Sequence, residues 1–126
     1  MNAQELKDAL CQFTGTEQWY IYPLNKKIVY TDGARFFFRE AAGGAYWLLD
    51  ILGTEVYQFH AKEEFLFIAL NVIGTRATIT VTNGNHEPDS ILLTKAIDYT
   101  DCPDGEWKFF MIWDGQRSTI LLPSEY

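Results

Sequence analysis

The chain reads Gly43-Gly44-Ala45-Tyr46-Trp47-Leu48-Leu49-Asp50 where one predicted helix ends and another begins. A glycine pair ends a helix readily because glycine adopts the positive φ that follows a helix C-terminus. After the pair, apolar residues recur at helical spacing from Ala45 to Phe59 and predict a third helix. Gly53 interrupts this apolar stripe, so we expect either a close neighbour or a bend there. The stretch therefore predicts a joint between two core helices.

Upstream of the joint, the sequence predicts a first helix followed by a hairpin. The first helix is predicted over residues 3–13, with Asn2 as its N-cap. Its apolar positions at helical spacing are Leu6, Leu10 and Phe13. Residues 18–22 and 27–30 are rich in aromatic and β-branched side chains and flank a four-residue turn, which is typical of a short β-hairpin.

A second helix is predicted between the hairpin and the glycine pair. Thr31 and Asp32 offer side-chain oxygens that can cap its N-terminus. The positions predicted to share its core face are Ala34, Phe37, Phe38 and Ala41.

From Glu64 onward the apolar period changes from that of a helix to that of a strand. The predicted strands span residues 65–72, 76–82, 91–99, 107–113 and 117–122. Short links between consecutive strands favour an antiparallel meander, whose last strand would be an edge that could pair across a two-fold axis. The predicted fold class is α+β, with N-terminal helices and the short hairpin packed on one face of a five-stranded, mainly antiparallel meander sheet. One domain is expected over residues 1–126.

Composition excludes several classes of function. A formal charge of -7, with the basic residues scattered along the chain, argues against nucleic-acid binding. No apolar run approaches the length that spans a bilayer, and the first residues carry no targeting signal, so we expect a cytoplasmic protein without a membrane role. The sequence leaves open whether Cys11 and Cys102 come close enough to pair, and it leaves the oligomeric state undetermined.

Two segments begin alike and supply the candidate site residues. They are Tyr30-Thr31-Asp32-Gly33 and Tyr99-Thr100-Asp101-Cys102. Both are interpreted first as turns, in which Thr and Asp oxygens satisfy nearby backbone N–H groups. The alternative is a small anion held at the start of the second helix beside Tyr30 and Arg35, although Asp32 argues against it. A tentative ligand or partner surface therefore comprises Tyr30, Asp32, Tyr99 and Asp101.

Other chemistry finds little support in the sequence. The acidic group Asp98, Asp101, Asp104 and Glu106 fails the EF-hand spacing, and neither His60 nor His86 has metal-ligand spacing with a cysteine or a histidine. His60 is interpreted as a cation at a helix C-terminus. No glycine-rich phosphate loop occurs. We therefore expect no catalytic residue, no cofactor and no metal.

Five segments, in order along nearly the whole chain, resemble the DUF6876 family. They are residues 12–17, 30–33, 45–50, 97–101 and 121–126. The chain departs from the family pattern at Gly43-Gly44, where Ala-Gly is typical, and at Cys102-Pro103, where an aromatic residue commonly precedes the proline. The resemblance implies a bacterial or phage-associated domain of unknown function and carries over no site residue.

Three functional hypotheses follow. The leading one is a non-enzymatic protein-interaction module of bacterial or mobile-element origin, because the build is compact, the surface is acidic and a catalytic set is absent. The second is a small-molecule binder or enzyme with an aromatic-lined pocket between helices and sheet, using the four candidate residues as polar anchors. The third is an acidic mimic of nucleic acid, which requires a continuous stripe of acidic residues.

Overall fold

The computed structural model describes residues 1–84 and 90–126. Within them, seven strands form one mixed sheet beside three α-helices. The α-helices are α1 (Ala3–Leu10), α2 (Asp32–Glu40) and α3 (Tyr46–Ile51). The strands are β1 (Trp19–Ile21), β2 (Ile28–Thr31), β3 (Phe65–Ile73), β4 (Arg76–Thr82), β5 (Ile91–Ile97), β6 (Gly105–Trp113) and β7 (Ser118–Leu121). The predicted α+β class is confirmed.

Helix α2 forms where its caps and apolar face predict it. Thr31 is its N-cap, and the Thr31 hydroxyl oxygen accepts a hydrogen bond from the Ala34 amide at 3.3 Å. Phe37 and Phe38 are fully buried on its inner side. The Phe37 ring lies edge-on to Phe109 of β6, with 5.0 Å between ring centroids. Aromatic packing therefore fills this part of the interface between helices and sheet.

The third predicted helix is shorter than its apolar stripe. Helix α3 gives way to a π-helical segment (Leu52–Val56) and then to a 3₁₀ segment (Tyr57–Ala61). Of the two alternatives expected for Gly53, the close neighbour is found, because the Tyr22 ring lies directly beside it, and the change to the π-helical segment occurs at the same place. A Cβ at Gly53 would overlap that ring. The Tyr22 hydroxyl also donates to Asp50 Oδ1 at 3.0 Å, which fixes the ring across the segment.

The prediction that the hairpin packs on a face of the sheet is wrong. Strands β1 and β2 instead extend the sheet to seven strands, in the order β1-β2-β7-β6-β3-β4-β5. Strand β2 pairs in parallel with β7, and the other neighbouring pairs are antiparallel. All four residues of β2 are buried, as expected for a strand in the interior of a sheet.

The sheet also departs from a simple meander, because β6 pairs with β3 rather than with β5. The connection from β5 to β6 passes the turn between β3 and β4, where the Thr100 amide donates to the Thr75 carbonyl at 2.7 Å. The Gly74 amide donates to Asp104 Oδ1 at 3.0 Å in the same place. Strand β7 consequently lies inside the sheet, so the last strand is not an exposed edge that could pair across a two-fold axis. The edge strands are β1 and β5.

No helix within the described residues is both long enough and apolar enough to cross a membrane.

Candidate functional site

Asp32, the first residue of α2, ties the helix to the loop before β1. Its carboxylate accepts hydrogen bonds from the Glu17 amide at 2.9 Å and from the Tyr20 hydroxyl at 3.0 Å. The Asp32 amide donates to Thr16 Oγ1 at 2.9 Å. The hydrogen bond from the Glu17 amide is the main cause that lowers the pKa of Asp32 from its ordinary value, because it stabilises the ionised form. Asp32 is thus an ionised anchor for this loop.

A carboxylate of the chain itself occupies the N-terminus of α2. Glu125 Oε1 accepts from the Thr31 hydroxyl at 2.6 Å, and Glu125 Oε2 accepts from the Gly33 amide at 3.1 Å. A Cβ at Gly33 would lie 2.5 Å from Glu125 Oε1, so this approach requires glycine. The sequence analysis considered a small anion at the start of this helix. In the structure the Glu125 carboxylate supplies the negative charge at that position.

Tyr30 packs inward. It is 8% exposed, and its ring lies edge-on to Phe38 with 5.7 Å between centroids. Burial is the main cause that raises the pKa of its hydroxyl. Beside it, the Arg35 guanidinium lies over the Tyr20 ring, 4.5 Å from the ring centroid. Tyr30 therefore belongs to the core cluster and packs against the rings of Tyr20 and Phe38.

Asp101 lies towards the other end of α2. Asp101 Oδ2 accepts a hydrogen bond from the Gly43 amide at 3.3 Å, just after the helix ends. Asp32 begins the same nine-residue helix, which is about 13 Å long at the usual rise per residue. The structure therefore places the two aspartates at opposite ends of α2. Tyr99 is 73% exposed.

A cleft of about 620 Å³ lies between the loop of residues 12–17 and the outward side of α2. Its helical wall consists of Asp32, Arg35, Phe36, Arg39 and Glu40. The Phe13 and Phe36 rings pack against each other in this wall at 5.4 Å between centroids. Of the four predicted candidate residues, Asp32 alone belongs to the lining of this cleft.

Sequence reasoning missed the cleft, although one signal for it was present. Arg35 and Arg39 are four residues apart on a predicted helix and so had to share a face. The loop that closes the cleft is held by Asp32 through contacts 15 and 16 positions away, and a local pattern does not report such contacts.

His60 does not have the role expected for a helix-terminal cation. Its Nδ1 lies 2.8 Å from the Glu63 carbonyl and its Nε2 lies 2.7 Å from Ser118 Oγ. Desolvation lowers the pKa of His60 from 6.5, so the ring is neutral near pH 7 and the prediction of a cation is wrong. Ser118 is fully buried. This serine–histidine hydrogen bond is therefore closed to substrate and joins the 3₁₀ segment to β7.

Glu106 and the two cysteines complete the groups considered in the sequence. Glu106 pairs with Lys108 at 3.2 Å. Both cysteines are free thiols, Cys11 exposed and Cys102 buried, and burial is the main cause that raises the pKa of Cys102. The described residues contain no group of three or more side chains suited to holding a metal ion. His86 lies outside the described residues.

The sheet face opposite the helices, here called the outer face, carries an uncharged row across five neighbouring strands. Directly paired residues place their side chains on the same face. The row runs Ile21, Val29, Thr119, Ile112 and Phe65. Beside it, Trp19 is 57% exposed, and the Tyr126 ring packs edge-on to Phe110 at 5.5 Å. Towards the other end of β3 and β6 the outer face is polar, with Asn71 paired to Glu106.

Comparisons with known proteins identify a family and no individual relative. No curated protein and no solved structure matches the chain. A family model matches residues 4–126, which is nearly the whole chain, and the predicted resemblance is confirmed. The chain belongs to DUF6876, a family of unknown function.

Proposed function

We propose that this protein is a non-enzymatic protein-interaction module that binds its partner through the uncharged part of the outer face. One observation carries the proposal: an uncharged, mostly apolar row crosses five strands of a sheet in a chain whose formal charge is -7. Contiguous apolar surface of this kind is typical of an interaction site.

The edge strand β1 indicates how a partner would dock. Ile21, at the β1 end of the row, is 54% exposed, and Leu24 in the turn that follows β1 is 75% exposed. Within residues 1–84 and 90–126, strand β1 pairs with another strand on one side only, so its other side is a sheet edge with backbone groups available for pairing. A partner strand with alternating apolar side chains would pair with β1 and cover Trp19 and Ile21.

Burial on the outer face supports the same proposal. Val29 and Leu121 are 4% and 8% exposed, yet neither belongs to the core cluster between helices and sheet. They already pack among their outer-face neighbours. A partner would therefore meet a preformed apolar surface and would order few side chains on binding.

The test compares two exposed isoleucines. The tagged protein is used to isolate partners from the source cell, and each partner is then purified and titrated against Ile21→Lys and against Ile73→Lys. Ile73 is 82% exposed and lies on the polar part of the outer face, so it is the matched control. We expect Ile21→Lys to weaken binding about tenfold or more, because a charge is buried at an apolar contact.

Equal binding by the two variants would contradict the proposal. So would a clean monomer in light scattering that retains no partner. Circular dichroism of each variant distinguishes lost binding from lost folding.

The acidic nucleic-acid mimic stays a prediction. Competition of the intact protein against DNA for a DNA-binding partner would test it, and a dispersed map of acidic residues would contradict it.

A further inference from the structure

The cleft beside α2 carries an inference that is independent of the outer face. Arg35 and Arg39 are neighbours on one side of α2 and both line the cleft. The two ion pairs found within residues 1–84 and 90–126 involve lysines, namely Lys95 with Glu55 and Lys108 with Glu106. In an acidic chain, two adjacent guanidinium groups in a concave site therefore lack, among the described residues, a carboxylate at ion-pair distance.

The cleft lining also carries three carboxylates, on Asp32, Glu17 and Glu40, and none of them lies at ion-pair distance from Arg35 or Arg39. Asp32 is engaged by the Glu17 amide and the Tyr20 hydroxyl. Glu17 and Glu40 are exposed at the cleft. Their oxygens can accept hydrogen bonds from a ligand's hydroxyl or amine groups.

The cleft is also preorganised for a planar group. Arg35 is held over the Tyr20 ring at 4.5 Å, so its guanidinium loses little freedom on binding. The Phe13 and Phe36 rings form an apolar wall on the same cleft. Guanidinium groups bind carboxylates and phosphates in a bidentate geometry, and aromatic rings pack against planar groups.

We propose that this cleft binds a small planar ligand that carries an oxyanion, either a carboxylate or a phosphate. The oxyanion lies between Arg35 and Arg39, and the planar part packs against Phe13 and Phe36. Hydroxyl or amine groups on the ligand donate to Glu17 and Glu40.

The test is a titration followed by ¹⁵N–¹H NMR spectra of the intact chain. The probes are phenyl phosphate, benzoate, inorganic phosphate and the neutral benzyl alcohol. With phenyl phosphate or benzoate we expect saturable chemical-shift changes confined to the amides of residues 12–17 and of α2. The probe that binds more tightly identifies the oxyanion. Benzyl alcohol is expected to bind about tenfold more weakly, because a charge-assisted hydrogen bond is lost.

Two double variants distinguish binding in the cleft from a general attraction of the anionic probes to positive charges on the protein. Arg35→Gln with Arg39→Gln should weaken the better probe about tenfold or more. Arg76→Gln with Arg117→Gln removes the same charge from exposed positions elsewhere and should leave the affinity unchanged. The NMR spectrum of each variant reports whether it is folded.

Three outcomes would overturn the inference. They are no saturable shift with either charged aromatic probe, shifts centred outside the cleft, and an equal loss of affinity in both double variants. Saturable binding of inorganic phosphate as tightly as phenyl phosphate would remove the planar part of the proposal.

Discussion

Gly53 is a residue at which space, rather than backbone conformation, requires glycine. The Tyr22 ring occupies the position that a Cβ would take, and both residues are buried. We predict that Gly53→Ala lowers the free energy of unfolding by about 1–3 kcal/mol, because overlap in a packed core outweighs the helical preference of alanine. Urea denaturation followed by circular dichroism measures it.

Gly15→Ala is the control for this prediction. No atom lies within 4 Å of a Cβ at Gly15, so its effect should stay within about 0.5 kcal/mol. Equal stability of Gly53→Ala and the parent chain would show that Tyr22 moves away at little cost.

His60 predicts a dependence of stability on pH. Its pKa is lowered in the folded chain from 6.5, so the unfolded chain binds more protons in the interval between the two values. The free energy of unfolding therefore loses the His60 contribution as pH falls below about 6.5 through the folded pKa. Thermal unfolding at about pH 7.5 and about pH 5.5 should show a larger loss for the parent than for His60→Gln.

His86 is present in both proteins and cancels in this comparison. An identical loss in the two proteins would contradict the assignment to His60.

Local sequence patterns predicted the special position of Gly53 but not the role of His60. The Gly53 interruption was visible because it breaks a helical stripe. The role of His60 was not visible, because its partner Ser118 lies 58 positions away. A histidine near a helix end has the same local pattern whether it is a cation or a neutral acceptor.

At the scale of elements, the capping of α2 by Glu125 yields the next prediction. The carboxylate accepts from the Thr31 hydroxyl and from the Gly33 amide at the positive end of the helix. We predict that Glu125→Ala lowers the free energy of unfolding by about 1–3 kcal/mol, because buried donors lose a charged acceptor. Denaturant titration measures the change.

Glu64→Ala is the matched control, since Glu64 is exposed and should change stability by no more than about 0.5 kcal/mol. A loss no larger than that of the control would show that water replaces the Glu125 carboxylate.

Element boundaries followed the sequence where burial is one-sided. Strand β4 was predicted from residue 76 to residue 82 because apolar and polar residues alternate there, and the structure agrees. The place of β2 was not predictable in the same way. Its apolar run has no alternation, and its partner β7 pairs at a distance of 90 positions, as Ile28 with Ser118.

For the whole molecule, the parallel pair β2–β7 predicts cooperative unfolding. It joins the helical half of the chain to the strands that follow residue 64 within one sheet. We predict one transition in urea, with coincident curves from tryptophan fluorescence and far-ultraviolet circular dichroism. Separate transitions would show that the strands after residue 64 keep their structure without β1 and β2.

The candidate site was predictable only in fragments. The repeated Tyr-Thr-Asp pattern located two well-bonded turns, and Asp32 does line a cleft. Asp101 lies at the far end of α2, against Gly43, because the crossing from β5 to β6 carries it there. The path of the β5–β6 connection depends on the order of the strands in the sheet, and the residues of a turn do not predict that order.

The contact between Glu125 and Thr31 spans 94 positions and has a consequence for biosynthesis. A ribosome releases the chain from its amino end, so α2 emerges long before the carboxylate that caps it. Strand β2 likewise emerges without its neighbour β7. Until β7 and Glu125 have left the ribosome, the nascent helical half therefore holds β2 with an unpaired edge and α2 without its capping carboxylate.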